Sequence, residues 1–273
     1  MLKQRVLTAI VLLALFVPAL FMGNSGFFIG LTLLLTTAGV WEWARMSRLG
    51  PSASLGLAGL GFCMMAAMWW TGLTQSPDRV VWTVLGLLWL ALTPIMLKRG
   101  VDGWATVPVA LSLPVGVVLI LSAWLAMAQA KSVGNTFLLS ILVLVWAADI
   151  FAYFGGKALG RVKLAPKISP GKSREGAVSG ALAVLLIALI WAQWPEPLSL
   201  FGVLLKAGWW FVPVLMVLVG MSIAGDLIES LVKRGVGIKD SSQLLPGHGG
   251  VLDRIDALLP VLPLSMMFYA WLV

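Results

Sequence analysis

Charge is scarce in this sequence. Only 11% of the residues are Asp, Glu, Lys or Arg, less than half of the roughly 25% that a soluble domain carries, so the chain cannot clothe itself in a water-facing surface. Cysteine and histidine are scarcer still, at one each. The lone Cys63 sits in apolar GLGFCMMAAMWW, which excludes an intrachain disulfide and a cysteine metal cluster. The sequence also lacks a GxxxxGK[ST] phosphate loop and any zinc-binding spacing. No repeat of fixed period shows, and no soluble domain is left to carry a nucleic-acid role. The opening MLKQRVLTAIVLLALFVPALF has a basic start and a long apolar run without a small-residue cleavage site, and is expected to be a retained first span.

What fills the chain is apolar, at 60% of residues. A membrane span needs roughly 20 such residues, and hydropathy gives nine candidates near 5–22, 26–44, 54–72, 80–97, 106–129, 136–156, 177–194, 204–228 and 256–272. The expected fold class is an all-α integral membrane protein, a polytopic bundle of about nine transmembrane helices. Lys and Arg orient it. With the N-terminus inside, 16 of the 19 basic residues fall on inside segments, leaving only Arg79, Lys131 and Lys206 outside. The expectation is a cytoplasmic N-terminus and a periplasmic C-terminus. Residues 1–135 then form an N-terminal set of helices, and residues 136–273 a catalytic part with cytoplasmic loops at 157–176 and 230–255. The net charge of +8 belongs to the inner face, where topology and anionic lipid already account for it.

The scarce charge is concentrated. SLVKRGVGIKDSSQLLPGHGGVLDRIDALLP, residues 230–260, gathers four basic residues, three Asp and the only His between two apolar segments. Just upstream, Asp226, Ser230 and Lys233 follow at i, i+4 and i+7, with Glu229 beside them, on one helical face. Asp149 and Tyr153 share a face in the same way. An acid inside a span is costly and by default marks function, although near a helix end it can serve as an ion-paired terminus. Asp253 and Asp256 suit the start of the last helix, as a cap and a first-turn acid. The PGHGG before them reads otherwise. Its glycines free the backbone to turn amides toward an anion, and Lys233, Arg234, Lys239 and Arg254 surround them. In the other loop, Ser169, Lys172, Ser173 and Arg174 are positioned either to meet a phosphate or simply to keep a loop basic. Carboxylates for a divalent cation, together with cations, amides and glycine for phosphate oxygens, are the ingredients of polyphosphate chemistry. The residues alone point to a cytoplasm-facing, metal-assisted phosphate site in a membrane bundle.

The same stretch resembles the signature of the phosphatidate cytidylyltransferases, or CDP-diacylglycerol synthases. Ser230, Val232, Lys233, Arg234, Lys239, Asp240, Ser242, Leu245, Pro246, His248, Gly249, Gly250, Asp253, Arg254 and Asp256 fill its fixed positions. The upstream AADIFAYFGGKALGRVKLAPKISPGKSREG is similar to the family's second block, whereas residues 1–135 agree only in hydropathy. The resemblance implies transfer of the cytidylyl group of CTP to phosphatidate, giving CDP-diacylglycerol and diphosphate. It implies Mg²⁺ on Asp226, Asp253 and Asp256, with K⁺ as a candidate second ion. Asp226, Asp253, Asp256 and Lys233 are the implied catalytic residues. Ser230, Arg234, Lys239, Asp240, His248, Gly249, Gly250, Arg254, Asp149, Tyr153, Ser169, Lys172 and Ser173 are implied substrate contacts. Membrane lipid is the implied surrounding, the bacterial inner membrane the implied location, and a homodimer is compatible with the family.

Three rivals remain defined at this point. A CTP-dependent lipid kinase would release CDP instead of diphosphate. A transporter would place its acids near the bilayer midplane within inverted repeats. A lipid-binding scaffold would leave the paired Asp residues and the GHGG turn unexplained.

Overall fold

The computed structural model describes residues 2–23, 25–194 and 198–273. The side chains of Lys3 and Arg5, two of the basic residues that orient the chain, lie outside those described. Eleven helices follow one another: α1 (Leu2–Phe21), α2 (Ser25–Met46), α3 (Pro51–Trp70), α4 (Arg79–Ala105), α5 (Val109–Val133), α6 (Asn135–Leu159), α7 (Arg174–Trp191), α8 (Leu200–Leu205), α9 (Phe211–Gly235), α10 (Leu252–Ile255) and α11 (Leu258–Leu272). Between α6 and α7 two short strands, β1 (Lys163–Ala165) and β2 (Ser169–Ser173), form an antiparallel ribbon. Among the described residues, seven helices are long and apolar enough to cross a membrane, and two shorter apolar ones cover Val6–Phe21 and Leu258–Leu272. The chain is a helical bundle of a polytopic membrane protein. Leucines such as Leu60, Leu182 and Leu186 are more than half exposed, as expected of side chains turned toward lipid.

Local chemistry fixes where the helices begin and how closely they lie. Pro51 occupies the first turn of α3, where its missing N–H costs nothing. Asp78 caps α4 by accepting from the Val81 amide at 2.9 Å, and Ser173 caps α7 by accepting from the Gly176 amide at 3.1 Å. Near its end α4 breaks at Gly100, whose φ of 66° is a left-handed conformation that glycine adopts without strain. The tightest pairing is α6 against α7. A Cβ at Gly176 would lie 2.6 Å from the Ala152 carbonyl oxygen, and one at Gly180 would lie 2.5 Å from that of Ala148. Small residues at this seam therefore let the two backbones touch.

Two polar clamps hold the half of the bundle away from the acids. Trp82 donates to Gln129 at 2.7 Å, and Gln129 in turn donates to the Leu73 carbonyl at 2.7 Å. Lys131, buried at the end of α5, donates to the Leu20 carbonyl and to Asn135. These contacts satisfy groups that would be costly to leave bare away from water.

The nine apolar segments expected from hydropathy each overlap a helix. The largest shift is at 204–228, where the chain makes the short α8 and a 3₁₀ turn at Gly208–Trp210 before α9 begins at Phe211. As a result α9 carries Asp226, Glu229, Ser230, Lys233 and Arg234 all on helix.

Candidate active site

A polar cavity of about 660 Å³ opens between α6, the ribbon, α7, α9 and α10. Asp149 and Tyr153 reach it from α6, Lys172 and Ser173 from β2, and Asp226 from α9. Asp253 and Arg254 arrive from α10, and Asp256 from the link between α10 and α11. Trp146 and Lys157 also line it. Residues more than 100 positions apart in sequence thus face one space. Lys172 forms an ion pair with Asp226 at 2.7 Å, and Ser230 donates to the other oxygen of that carboxylate at 3.2 Å. The helical spacing of Asp226 and Ser230 therefore produces the contact expected of it.

Behind the cavity wall lies a second, denser network. Lys233 is buried and paired with both Glu229 and Asp253. The other Asp253 oxygen accepts from the Gly250 amide at 2.7 Å, the Ser241 amide at 2.9 Å and the Ser241 hydroxyl at 3.0 Å. Burial works against the charge of Asp253, but the hydrogen bonds from Lys233 and the Gly250 amide outweigh it and hold the carboxyl below its usual range. Asp256, outside the spanning helices, goes the other way. Burial and the neighbouring Asp226 push it up to about 7 against the pull of the Ala257 amide, and Asp149 adds to the push.

The residue that organises this loop comes from the other half of the chain. Glu42, in α2, is fully buried. It accepts from the Ser242 hydroxyl at 2.6 Å, the Ser241 hydroxyl at 3.0 Å, and the Val251 and Leu252 amides, both at 2.8 Å. Hydropathy reading passes over it. The signal available was a single acid in VWEWAR, inside an otherwise apolar span, where an ionised group must have partners to be tolerated.

The glycines of PGHGG turn out to serve these carboxylates. Gly249 has a φ of 82°, and a Cβ there would lie 2.5 Å from Asp253 Oδ2. A Cβ on Gly250 would lie 2.3 Å from Glu42 Oε1. Of these amides, that of Gly250 points at the protein's own Asp253 and that of His248 at the Leu245 carbonyl, while Glu42 takes the next two, from Val251 and Leu252. His248 donates its amide to the Leu245 carbonyl at 2.8 Å, and its own carbonyl accepts from Arg254 at 2.6 Å, which closes the turn.

Of the expected substrate contacts, Asp149, Tyr153, Lys172, Ser173 and Arg254 line the cavity, as do the three carboxylates Asp226, Asp253 and Asp256. Ser173 doubles as the cap of α7. Ser169, Ser230, Lys233, Arg234, Lys239, Asp240, His248, Gly249 and Gly250 are not on its wall. Arg234 is exposed and donates to the Ile238 carbonyl at 3.2 Å.

Do these residues fit a divalent cation? Asp149 and Asp256 have no ion-pair partner within 4.0 Å among the described residues, although they share the cavity with Asp226. Two of the wall's four carboxylates thus lack a cation of the protein at contact distance among the described residues, and their hard oxygens suit Mg²⁺. Among the described residues no three acids, histidines or cysteines stand close enough to form a closed ligand shell. That too fits Mg²⁺, which typically keeps waters and takes one or two carboxylates plus substrate phosphate.

With this geometry in place, the comparison with known proteins is decisive. The Cytidylyltransferase family profile matches residues 3–272. The chain belongs to this family. Family membership thus extends over α1 to α5 as well, where sequence reading found agreement in hydropathy alone. Among curated relatives, the phosphatidate cytidylyltransferase of Pseudomonas aeruginosa is 38% identical over 271 residues, covering 96% of this chain and 95% of that one. That of Haemophilus influenzae is 36% identical over 287 residues, covering 98% and 99%. That of Bacillus subtilis is 30% identical over 269 residues, covering 96% and 95%.

Proposed function

We propose that this protein is a phosphatidate cytidylyltransferase, joining CTP and phosphatidate into CDP-diacylglycerol with release of diphosphate. The observation that carries the reading is a polar cavity walled by four carboxylates and by Lys172, Lys157 and Arg254, set among apolar helices. Such a site can admit a polyphosphate while staying within reach of a lipid headgroup. The near-full-length similarity to enzymes bearing that name supports the choice of substrates.

The chemistry asks little of a base, because the phosphatidate phosphate is already an anion. One of its oxygens forms a bond to the α-phosphorus of CTP as the bond from that phosphorus to the α,β-bridging oxygen breaks, and diphosphate takes the electron pair. Lys172, Lys157 and Arg254 are the cavity cations placed to hold phosphate oxygens. Asp226, Asp253 and Asp256 would hold Mg²⁺, with Asp149 nearby and K⁺ as a second ion. Asp253 would give up one of its internal partners to do so. A bound Mg²⁺ supplies charge that offsets the repulsion between two anionic substrates and stabilises the departing diphosphate. Lys233, held behind the wall by Glu229 and Asp253, keeps that carboxylate ionised and in place. Lys163, Lys167 and Lys172 of the ribbon, with Lys239 after α9, support a cavity mouth on the cytoplasmic side of a bacterial inner membrane.

The test uses purified protein in detergent with phosphatidate, Mg²⁺ and CTP labelled at either the α- or the γ-phosphate. The expected result is α-label in the lipid with one diphosphate per lipid formed. Transfer of γ-label to lipid, with CDP left behind, would replace this reading by that of a lipid kinase.

A further inference from the structure

A second groove, of about 740 Å³, runs beside the polar cavity, and the two share Leu164, Ala177 and Ile223 as a common wall. Its floor is one face of α9, with Gly220, Ile223, Ala224 and Leu227. The step from Leu227 to Gly220 covers about 10 Å of helix, so the floor descends from the loop end of α9 toward the middle of a membrane-crossing helix. Gly220 is exposed and has no other atom within 4 Å of where a Cβ would stand. The lower end is therefore open to whatever surrounds the bundle. The upper end is different. There Lys98 and Arg99, just before the Gly100 break in α4, face Lys167 in the turn of the ribbon, and all three are exposed. Asp102 is the one acid on the groove.

An apolar trough below, three cations above and a shared wall with a phosphate-handling cavity match an anionic lipid in both parts. A polyphosphate nucleotide has no use for the trough, and a neutral lipid has none for the cations. We propose that this groove is the side entrance for phosphatidate, with acyl chain on the Gly220–Leu227 face and phosphate drawn in by Lys98, Arg99 and Lys167. The inference rests on the proposed function and adds the residues that select its lipid substrate. None of these five named side chains or glycines lines the polar cavity itself.

The test is the phosphatidate and CTP dependence of label transfer in mixed micelles, for Gly220→Leu and for the double variant Lys98→Gln, Arg99→Gln. Leucine at 220 meets no neighbour and favours helix over glycine, so it obstructs the trough without disturbing the fold. Each variant is expected to raise the KM for dioleoyl phosphatidate about tenfold while leaving the KM for CTP unchanged. For Gly220→Leu the effect should shrink with dihexanoyl phosphatidate, whose short chains do not reach the obstruction. Unchanged phosphatidate KM in both variants, or an equal rise in the KM for CTP, overturns the proposal. Failure of the enzymatic reading would look different, since the unmodified protein would then transfer no α-label to either lipid.

Discussion

The helix α9 has a cavity on each side, and the two could hardly differ more. On one side is the polar cavity of about 660 Å³, where Asp226 meets Lys172, Asp149 and Asp256. On the other is an apolar cavity of about 230 Å³, walled by Trp43, Trp89, Trp104, Leu92, Ile228 and Val232. One residue of α9, Gly225, lines the apolar side and also brings α9 against the turn after α10. A Cβ there would lie 2.4 Å from the Asp256 carbonyl oxygen. The difference teaches that acids inside a membrane bundle are arranged by partnership. Glu229 borders the apolar cavity but is tied to Lys233, whereas Asp149 and Asp256 face the polar cavity without an ion pair among the described residues. A carboxylate that is paired from within holds the structure together. One left unpaired in a cavity invites a ligand.

The sharpest way to break the contrast is at Asp226. Replacing it by Asn keeps the shape and removes the charge from the polar side alone. Asp226→Asn should lower label transfer by about a thousandfold while thermal unfolding in detergent stays near that of the parent. Near-normal turnover would dissociate the polar cavity from the chemistry.

A smaller effect is expected from Glu42, which serves the site only by holding the loop. Glu42→Ala leaves the Ser242 hydroxyl and the Val251 and Leu252 amides without their acceptor, each costing roughly 1–3 kcal/mol where buried, while the Ser241 hydroxyl keeps Asp253. The melting temperature should drop, and activity should fall with it. Glu42→Gln keeps an acceptor oxygen and should recover part of both. Equal loss in the two variants would mean that Glu42 acts through its charge and touches the reaction more directly than its position shows.

The smallest effect is expected at Arg234, which points to solvent and bonds only the Ile238 carbonyl. Arg234→Ala should change kcat and both KM values less than about threefold. A large rise in the KM for CTP would return Arg234 to the phosphate-binding role that its place in the signature suggests.

Much of this molecule could be read from the sequence. The nine apolar runs overlap nine helices because a membrane demands length and hydropathy of each span separately, and both are local properties. Asp226 with Ser230 was legible for the same reason, since i, i+4 neighbours meet on any helix. Of the signature at 230–256, Asp253, Arg254 and Asp256 line the polar cavity. What the sequence could not convey was direction. Whether Lys233, already beside Glu229 one turn away, faces a substrate or Asp253 depends on how α10 docks on α9, which is a tertiary fact. The amides from Gly250 to Leu252 look equally suited to a foreign anion or a native one, and Asp253 together with Glu42, some 200 residues away, takes them. The ribbon at 163–173 was hidden for a related reason. Its strands are three and five residues long, too short for alternation to show against a basic loop.

The central claim is that nucleotide chemistry belongs to the polar side of α9. Photocrosslinking to CTP labelled at the α-phosphate tests it most directly, with benzoylphenylalanine placed at Tyr153 on the polar wall or at Leu111 on the apolar one. Label on the protein carrying the probe at Tyr153, and none with the probe at Leu111, is the predicted result. Label captured at Leu111 and absent at Tyr153 would contradict the account.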